Sequence, residues 1–534
     1  MKKLLSLLLA LAMVLSVCVF AVAEEVPVIT IAAPERINIE DWNTNVTTLM
    51  LEEALGVDIQ FQVYPGTDYN TKIGMMIATG GAELPDVIFC RPNNSELVAW
   101  IESGVLLPLT KYWEDEALSP NLHQVKARTG VDIAPMMTMY DGEIYAIPQF
   151  NQSYNNEYNV RLWINTKWLE QLGEKAPTTP QELHDLLVKV KNTDLNGNGK
   201  ADEIGFPGNM SGDKGWFQTI MSAFVYAGGD HYYTVNDGKV GYAYTTEGWK
   251  EGLKFIKSLF DEELIPREIL TQDDNQYLAM LNSEECTSMM FFYQSPSRVN
   301  STNTWRNDFE AYAPLINKDT GKPMARYAPS VPDNGYFFIT KNCKNPEKAF
   351  AIGDLMVSEL YSIMTRWGQE GVDWDYVKNV DGLENTVAWV EGFEKLIVVY
   401  DDAKFWSSGE VQNRSYIQTG PFVREYGIAN GRTRDPENIS LFDKHVGEAD
   451  VMYQQNAYRP DEVIPKLSYS AEEVEAVSDI QGTLYEFVEE WTANFLAGNM
   501  DIDANWDAYL AELENIGVNE SLEVVQAVYD RMYK

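Results

Sequence analysis

The sequence predicts an α/β fold, and three observations carry that reading. Short β-like runs alternate with amphipathic helical segments along the chain, the pattern of strands layered against helices. No period of roughly 20–50 residues recurs, which excludes solenoids and other repeat arrays. Hydrophobic residues make up 45% of the 534 positions and aromatics 12%, enough apolar surface for large buried cores. At about 150 residues per domain, the length allows three or four units. The charge is lopsided, with 41 Lys and Arg against 80 Asp and Glu and a net of −39. A surface that acidic repels phosphate backbones and anionic headgroups, so nucleic-acid and peripheral-membrane roles are excluded.

Taken in order, the chain opens as an address. Met1-Lys2-Lys3 precedes an uncharged run from Leu4 to Ala23, with Ala21-Val22-Ala23 before Glu24-Glu25. A basic start, a Leu-rich stretch and small residues before acids fit a secretory signal, residues 1–23, cleaved after Ala23. Two other outcomes stay open: the uncut run as an N-terminal anchor, or lipidation at Cys18. Leu15-Ser16-Val17-Cys18 resembles a lipobox, although Val17 stands where a small residue normally precedes the cysteine. No later stretch approaches the length of a membrane span, so an exported, soluble mature chain is expected.

Val26–Ala32 reads as a first strand and Thr47–Leu55 as a helix stopped by Gly56. Val57–Val63 is a second strand, Tyr69–Ala78 a helix broken at Gly80-Gly81, and Pro85–Phe89 a buried third strand. Strands alternating with helices this way imply a parallel sheet with right-handed crossovers, whose ligands bind beyond the carboxyl ends. Cys90–Asn94, just past the third strand, is therefore expected near any cleft. Further on, Thr179 is an N-cap with Pro180 at the first helical position and Glu182 as its capping partner. Leu183, Leu186, Leu187 and Val190 give that helix one apolar face. Asn345-Pro346-Glu347 opens another helix, and Ser470 with Glu473 forms a capping box in a helical C-terminal region.

One sharp motif runs from Asp194 to Glu203. Asp194, Asn196, Asn198 and Asp202 occupy positions 1, 3, 5 and 9 of an EF-hand-like calcium loop, with Gly199 at position 6. A hard cation needs oxygens at such spacing, because alternate residues of a tight loop point inward. The Lys200 carbonyl is the expected backbone ligand, and Asp202 or Glu203 must close the site because Gly205 stands at position 12. A metal-free polar loop is the other reading.

Nothing comparable supports catalysis. The zinc-protease, nucleophile-elbow, P-loop and dinucleotide motifs are all missing, so no ATP site of the chain's own is expected. The paired acids Glu262-Glu263, Asp273-Asp274, Glu284-Glu285 and Asp401-Asp402 read as solvated faces. Cys90, Cys286 and Cys343 of the mature chain read as buried structural thiols, of which one pair can bridge and one must remain free. His123, His184, His231 and His445 sit in no nucleophile motif. Aromatic side chains in polar, loop-like settings stand out instead: Trp216, Trp305, Trp367, Trp406 and Tyr293. Sugar rings stack an apolar C–H face on such rings while polar neighbours take their hydroxyls. Trp168, Trp249 and Trp491 lie within amphipathic helices and are expected in the core.

Several segments together resemble one family. LPDVIFC, SGVLLPLTKYWE, DGEIYAIPQ, LWINTKWLEQLGEKAPTTPQELHDLL, NTDLNGNGKADEIGF, EGLKFIKSLFDEELIPRE, NGYFFITKNCKNPEKAF and RWGQEGVDW follow one another, and the tail runs from VIPKLSYSAEEVE to NWDAYLAELENIGV. In that order they are similar to extracellular solute-binding proteins of bacterial ABC transporters, within the carbohydrate-binding group that includes LplA-like and alginate-binding proteins. The resemblance implies a two-lobed, periplasmic-binding-protein-like clamshell with several hinge crossings. The expected N-terminal lobe takes residues 24–150 and 335–395, and the C-terminal lobe 151–334 and 396–534. It implies structural calcium at Asp194, Asn196, Asn198, Lys200, Asp202 and Glu203, with Asn198 standing where an acid is common. It also implies a monomer at a Gram-positive cell surface that passes an oligosaccharide to permease subunits with separate ATPases. The cleft residues expected are Arg91, Asn93, Tyr154, Trp216, Tyr293, Trp305, Trp367 and Trp406, with Arg91 able to hold an acidic sugar's carboxylate. The alternatives are a secreted carbohydrate-active enzyme and a same-fold receptor for a peptide, lipid or other solute.

Overall fold

The computed structural model describes residues 26–210, 214–381, 397–400, 410–430, 432–433 and 441–534. The candidate signal segment, Asp401-Asp402 and Trp406 lie outside them.

The first sheet begins where expected. Strand β1 (Val28–Pro34) runs parallel to β2 (Asp58–Tyr64) and, on its other side, to β3 (Val87–Phe89). The intervening helices are Val46–Leu55 and Tyr69–Ala78. Asn45 caps the former by accepting from the Thr47 N–H, and Gly56 closes it in a left-handed conformation at φ 63° that glycine adopts without strain. The third strand starts at Val87 rather than Pro85. The Asp86 carboxylate instead accepts from the Thr30 N–H at 2.8 Å and its hydroxyl at 2.7 Å, pinning β3 to β1 from the side.

A short strand, β4 (Ala146–Ile147), belongs to the same sheet, and the chain then leaves it to build a second one. There β5 (Arg161–Asn165) pairs antiparallel with both β6 (Met290–Tyr293) and β7 (Phe309–Tyr312). The chain next returns, and β8 (Phe337–Ile339) inserts antiparallel between β3 and β4, giving the order β2-β1-β3-β8-β4. Ile88, Phe89, Phe337 and Phe338 are fully buried by this insertion. Each contributes about 1.5–3 kcal/mol of hydrophobic stabilisation.

Two main cores result. One gathers around the first sheet and includes Trp100, Tyr336, Phe350, Tyr416 and Val423. The other surrounds β5–β7 with Trp163, Trp216, Trp249 and Phe291. Helices Ala471–Ala497, Ile502–Ile516 and Val518–Tyr533 complete the second core, with Leu484, Val488, Trp506 and Tyr509 buried. Tyr416 and Val423 correct the expected division at 396, because the chain is still contributing to the first core there. Residues 422–424 also pair in parallel with 149–151, which ties this late segment to the first lobe's exit.

Local punctuation follows the sequence closely. Thr179 accepts from the Glu182 N–H ahead of Pro180–Lys191, whose Leu183, Leu186, Leu187 and Val190 are buried. Glu182 reaches back one residue further than a capping box requires, to the Thr178 N–H at 2.8 Å. Asn345 precedes helix Pro346–Met356 without a side-chain cap bond, whereas Ser470 and Glu473 form both halves of their box. Trp168 and Trp249 are buried in the second core and Trp491 packs against it. All three described cysteines are free.

Candidate functional site

The carboxyl ends of β1, β2 and β3 converge on a cavity of about 970 Å³. Glu35 and Arg36 follow β1, Gly66 and Thr67 follow β2, and Cys90 and Arg91 follow β3. The crossing segment Ala328–Val331 and Asp333 form the opposite wall, and a turn from Ile417 to Gln418 with Phe422 and Arg424 closes one end. The lining mixes amides (Asn38, Asn70, Gln149, Asn151) with rings (Tyr69, Phe89, Tyr336, Phe422), the combination that suits a hydroxyl-rich, partly apolar solute.

Arg91 is an accessible charged group of this cavity, with 57% of its side chain exposed. Its Nε donates to Asp333 Oδ2 at 2.9 Å, one Nη donates to Gln149 Oε1, and its guanidinium lies 5.6 Å from the Tyr336 ring. Gln149 is itself fixed, donating from Nε2 to the Gln418 and Gly420 carbonyls at 2.7 Å each. Asp333 accepts from the Gln149 and Gly335 N–H groups, and its burial raises its carboxyl pKa against the opposing pull of Arg91. On the far side of Asp333, Lys466 donates to the Asp333 carbonyl at 2.9 Å. Burial pushes its ammonium down to about 8. Burial also pushes the Cys90 thiol up to about 12, which suits an inert structural thiol.

A second cavity, of about 650 Å³, lies on the other side of the crossing segment. Arg91, Ala328, Pro329, Val331 and Asp333 are common to both walls, and Tyr233, Leu467 and Val477 make this one more apolar.

The other expected cleft residues are dispersed. Asn93 lines the second cavity, but its side chain is spent as the N-cap of helix Asn94–Glu102. Tyr154 is buried and stacked on Tyr426 at 5.2 Å. Trp216 is 2% exposed, packed on Phe206 at 5.6 Å, with its indole N–H donating to the Asn209 carbonyl. Tyr293 ends β6 beneath the Arg298 guanidinium at 4.3 Å, and Trp305 packs on Phe309 at 6.0 Å. Trp367 is buried in a satellite core with Trp374 and Ile397, flanked by the Arg366 and Arg424 guanidiniums at 5.5 Å. None of Tyr154, Trp216, Tyr293, Trp305 and Trp367 lines either cavity. Polar neighbours in sequence made these rings look exposed, whereas Tyr154, Trp216 and Trp367 are buried and Tyr293 and Trp305 are half-buried against the second core. The strand-end rule that found Arg91 also reaches Arg36 once applied to β1. No local signal marks Gln149 or Arg424, which long-range pairing brings together.

The Asp194–Glu203 loop forms a compact turn on the second lobe. Asp194 accepts from the N–H groups of Gly197 and Gly199 at 2.8 Å, and Asn198 Oδ1 from that of Lys200 at 2.9 Å. Glu203 is 5% exposed, and its Oε1 takes the Leu195 and Asn196 N–H groups at 2.7 and 2.8 Å. Its Oε2 is buried with no hydrogen-bond partner, a feature that fits a cation against it. Among the described residues no three His, Cys, Asp or Glu side chains group as a metal site, so any cation here also draws on amide and backbone oxygens. Of the acid pairs, Glu262 takes His184 at 3.0 Å, Glu263 takes Lys191, and Asp274 takes Arg298, while Glu285 accepts from the Asn198 amide of this loop at 3.3 Å. Among the described residues, no helix is long and apolar enough to cross a membrane.

Comparison with known proteins places this geometry. Residues 40–359 match the family described as bacterial extracellular solute-binding protein. The chain is 27% identical over 511 residues to the fructooligosaccharide ABC transporter substrate-binding protein FusA of Streptococcus pneumoniae, covering 92% of this chain and 88% of that one. An extracellular solute-binding protein from Bifidobacterium longum subsp. infantis superposes with a TM-score of 0.78 at 21% identity, over 95% of this chain and 99% of that one. The S. pneumoniae FusA EF-hand mutant in complex with fructo-nystose superposes with a TM-score of 0.70 at 23% identity, over 94% and 99%.

Proposed function

The chain belongs to the bacterial extracellular solute-binding proteins, and on that premise we propose that it captures an oligosaccharide in the cavity at the carboxyl ends of β1–β3 and delivers it to the membrane permease of an ABC importer. The observation that carries this reading is the cavity itself, about 970 Å³ with amides and aromatic rings interleaved along its wall. The volume accommodates several sugar residues, amides pair with hydroxyls, and rings take the C–H faces. The binding proteins with which it aligns over most of its length, FusA among them, support the same assignment.

The mechanism needs no covalent step. The walls combine first-lobe strand ends and the 417–424 segment with Asn156 and the crossing segment 328–333 that leads between the lobes. A solute touching both walls makes its full set of contacts only when the lobes close, so binding shifts the population toward the closed form. Separate ATPase subunits then supply the energy at the permease. Asp194, Asn196, Asn198, Lys200, Asp202 and Glu203 hold a calcium ion that rigidifies their loop, with the buried Glu203 Oε2 as a ligand. The protein acts outside the cytoplasmic membrane as a monomer.

The test is a thermal-shift screen of the purified protein against neutral and acidic oligosaccharides at constant calcium, with product analysis. Binding to the folded state alone adds about 2.7 kcal/mol at a hundredfold excess over Kd. A rise in midpoint with the sugar recovered intact is the expected result. A sugar panel without effect, or cleavage of the bound sugar, overturns the assignment.

A further inference from the structure

Three guanidiniums meet around one strained turn. Ile417 and Gln418 take positive φ values of 49° and 61°, and Gly420 follows at 94°. A β-branched residue in that region is an outlier that its surroundings must impose. Each arginine of the large cavity reaches this turn. Arg36 Nε donates to Thr419 Oγ1 at 3.2 Å, and Arg424, 3% exposed, donates to Gln418 Oε1. Arg91 reaches it through Gln149, whose amide binds the Gln418 and Gly420 carbonyls. The lining therefore carries Arg36, Arg91 and Arg424 against only Glu35 and Asp333. The whole chain has the opposite bias, 80 acids to 41 bases.

We propose that this cavity selects an acidic oligosaccharide, with a uronate carboxylate seated on Arg91 and within the field of Arg36 and Arg424. The proposal rests on the sugar-binding reading and narrows it. Arg91 is suited to the direct contact because Asp333 and Gln149 fix its plane while much of its side chain remains exposed. A planar guanidinium pairs with a carboxylate through parallel hydrogen bonds, which a neutral hydroxyl cannot match. The acidic outer surface lowers the general attraction for anions, so recognition depends on this local reversal of charge.

Titration calorimetry with the full protein tests the idea using trigalacturonate, its methyl ester, a neutral trisaccharide of equal length and a sulfated trisaccharide. Trigalacturonate is expected to bind at least tenfold tighter than its ester and the neutral sugar, with affinity falling as salt rises. Arg91→Gln should cost the uronate tenfold or more and the neutral sugar less than threefold. The ester comparison uses unaltered protein, so it holds even if the variant folds poorly. Equal affinity for ester and acid overturns the proposal while leaving the sugar reading intact. Equal binding of the sulfated sugar overturns the carboxylate assignment in favour of anions at large. Binding of none of the four overturns both readings.

Discussion

Replacing Trp216 with alanine separates a packing role from a ligand-binding one. The indole is 2% exposed, lies between Phe206, Phe217 and Phe260 at 5.6, 5.7 and 6.4 Å, and donates to the Asn209 carbonyl at 3.0 Å. The fit is tight, since a Cβ added at Gly208 would lie 2.7 Å from the indole. Removing a ring so enclosed costs about 3–5 kcal/mol in transfer and cavity terms. The hydrogen bond is a further part of that cost, and Trp216→Phe, which keeps most of the volume, should lose about 1 kcal/mol with the indole N–H bond to the Asn209 carbonyl. Urea denaturation followed by circular dichroism reads the loss, and calorimetry on the folded protein reads affinity. The expected result is a graded fall in midpoint, alanine well below phenylalanine, with sugar affinity changed by less than twofold. A tenfold loss of affinity with an unmoved midpoint would refute the reasoning and return Trp216 to the cleft.

Two further outcomes follow from buried groups. Chelating calcium should lower the thermal midpoint, by the equivalent of about 2.7 kcal/mol where calcium stood at a hundredfold its Kd. Glu203→Gln should abolish that dependence, because the orphaned Oε2 loses its charge; an unchanged midpoint on chelation would remove the metal from the loop. For Lys466, the folded ammonium loses its proton near 8 while an unfolded lysine keeps it to about 10.4. The unfolded chain therefore binds more protons in that window, and stability rises with pH by at most about 1.4 kcal/mol per unit. Lys466→Met should show a flatter profile than the parent between pH 7.5 and 9; thiols such as Cys90 and Cys286, which ionise from about pH 8.5 only when unfolded, add the same opposing slope to both proteins. Parallel profiles would show that Lys466 is solvated in the native state.

What could be read from the sequence was local. The Thr179–Pro180 helix start, the Gly56 stop and the Ser470–Glu473 box depend on a few neighbouring residues, and the structure repeats them. The parallel run of the first three strands follows from alternating segments for the same reason, whereas their 2-1-3 order is seen only in the structure. The insertion of β8 between β3 and β4 had no local signal, because its partners are distant in the chain and its own run is short. Trp216 misled because Gly-Asp-Lys-Gly before it reads as an exposed loop, whereas helix Gly215–Met221 starts there and turns the ring inward. In the cleft, Arg91 was legible as the end of a strand. Gln149 and Arg424 were not, since only the parallel pairing of 149–151 with 422–424 unites them.

The position of β8 also sets a timetable. Phe89 waits for Phe337, roughly 250 residues further along, and the same lobe still lacks Tyr416 and Val423 at that point. A ribosome that has finished β1, β2 and β3 has made a sheet with an open, fully apolar flank that nothing yet emerging can cover. Contacts of such separation form late and slowly. The lobe encoded first is therefore among the last to close, and nearly four-fifths of the chain must be synthesised before it can. A chain kept unfolded that long stays threadable, which is the condition an exported protein has to meet.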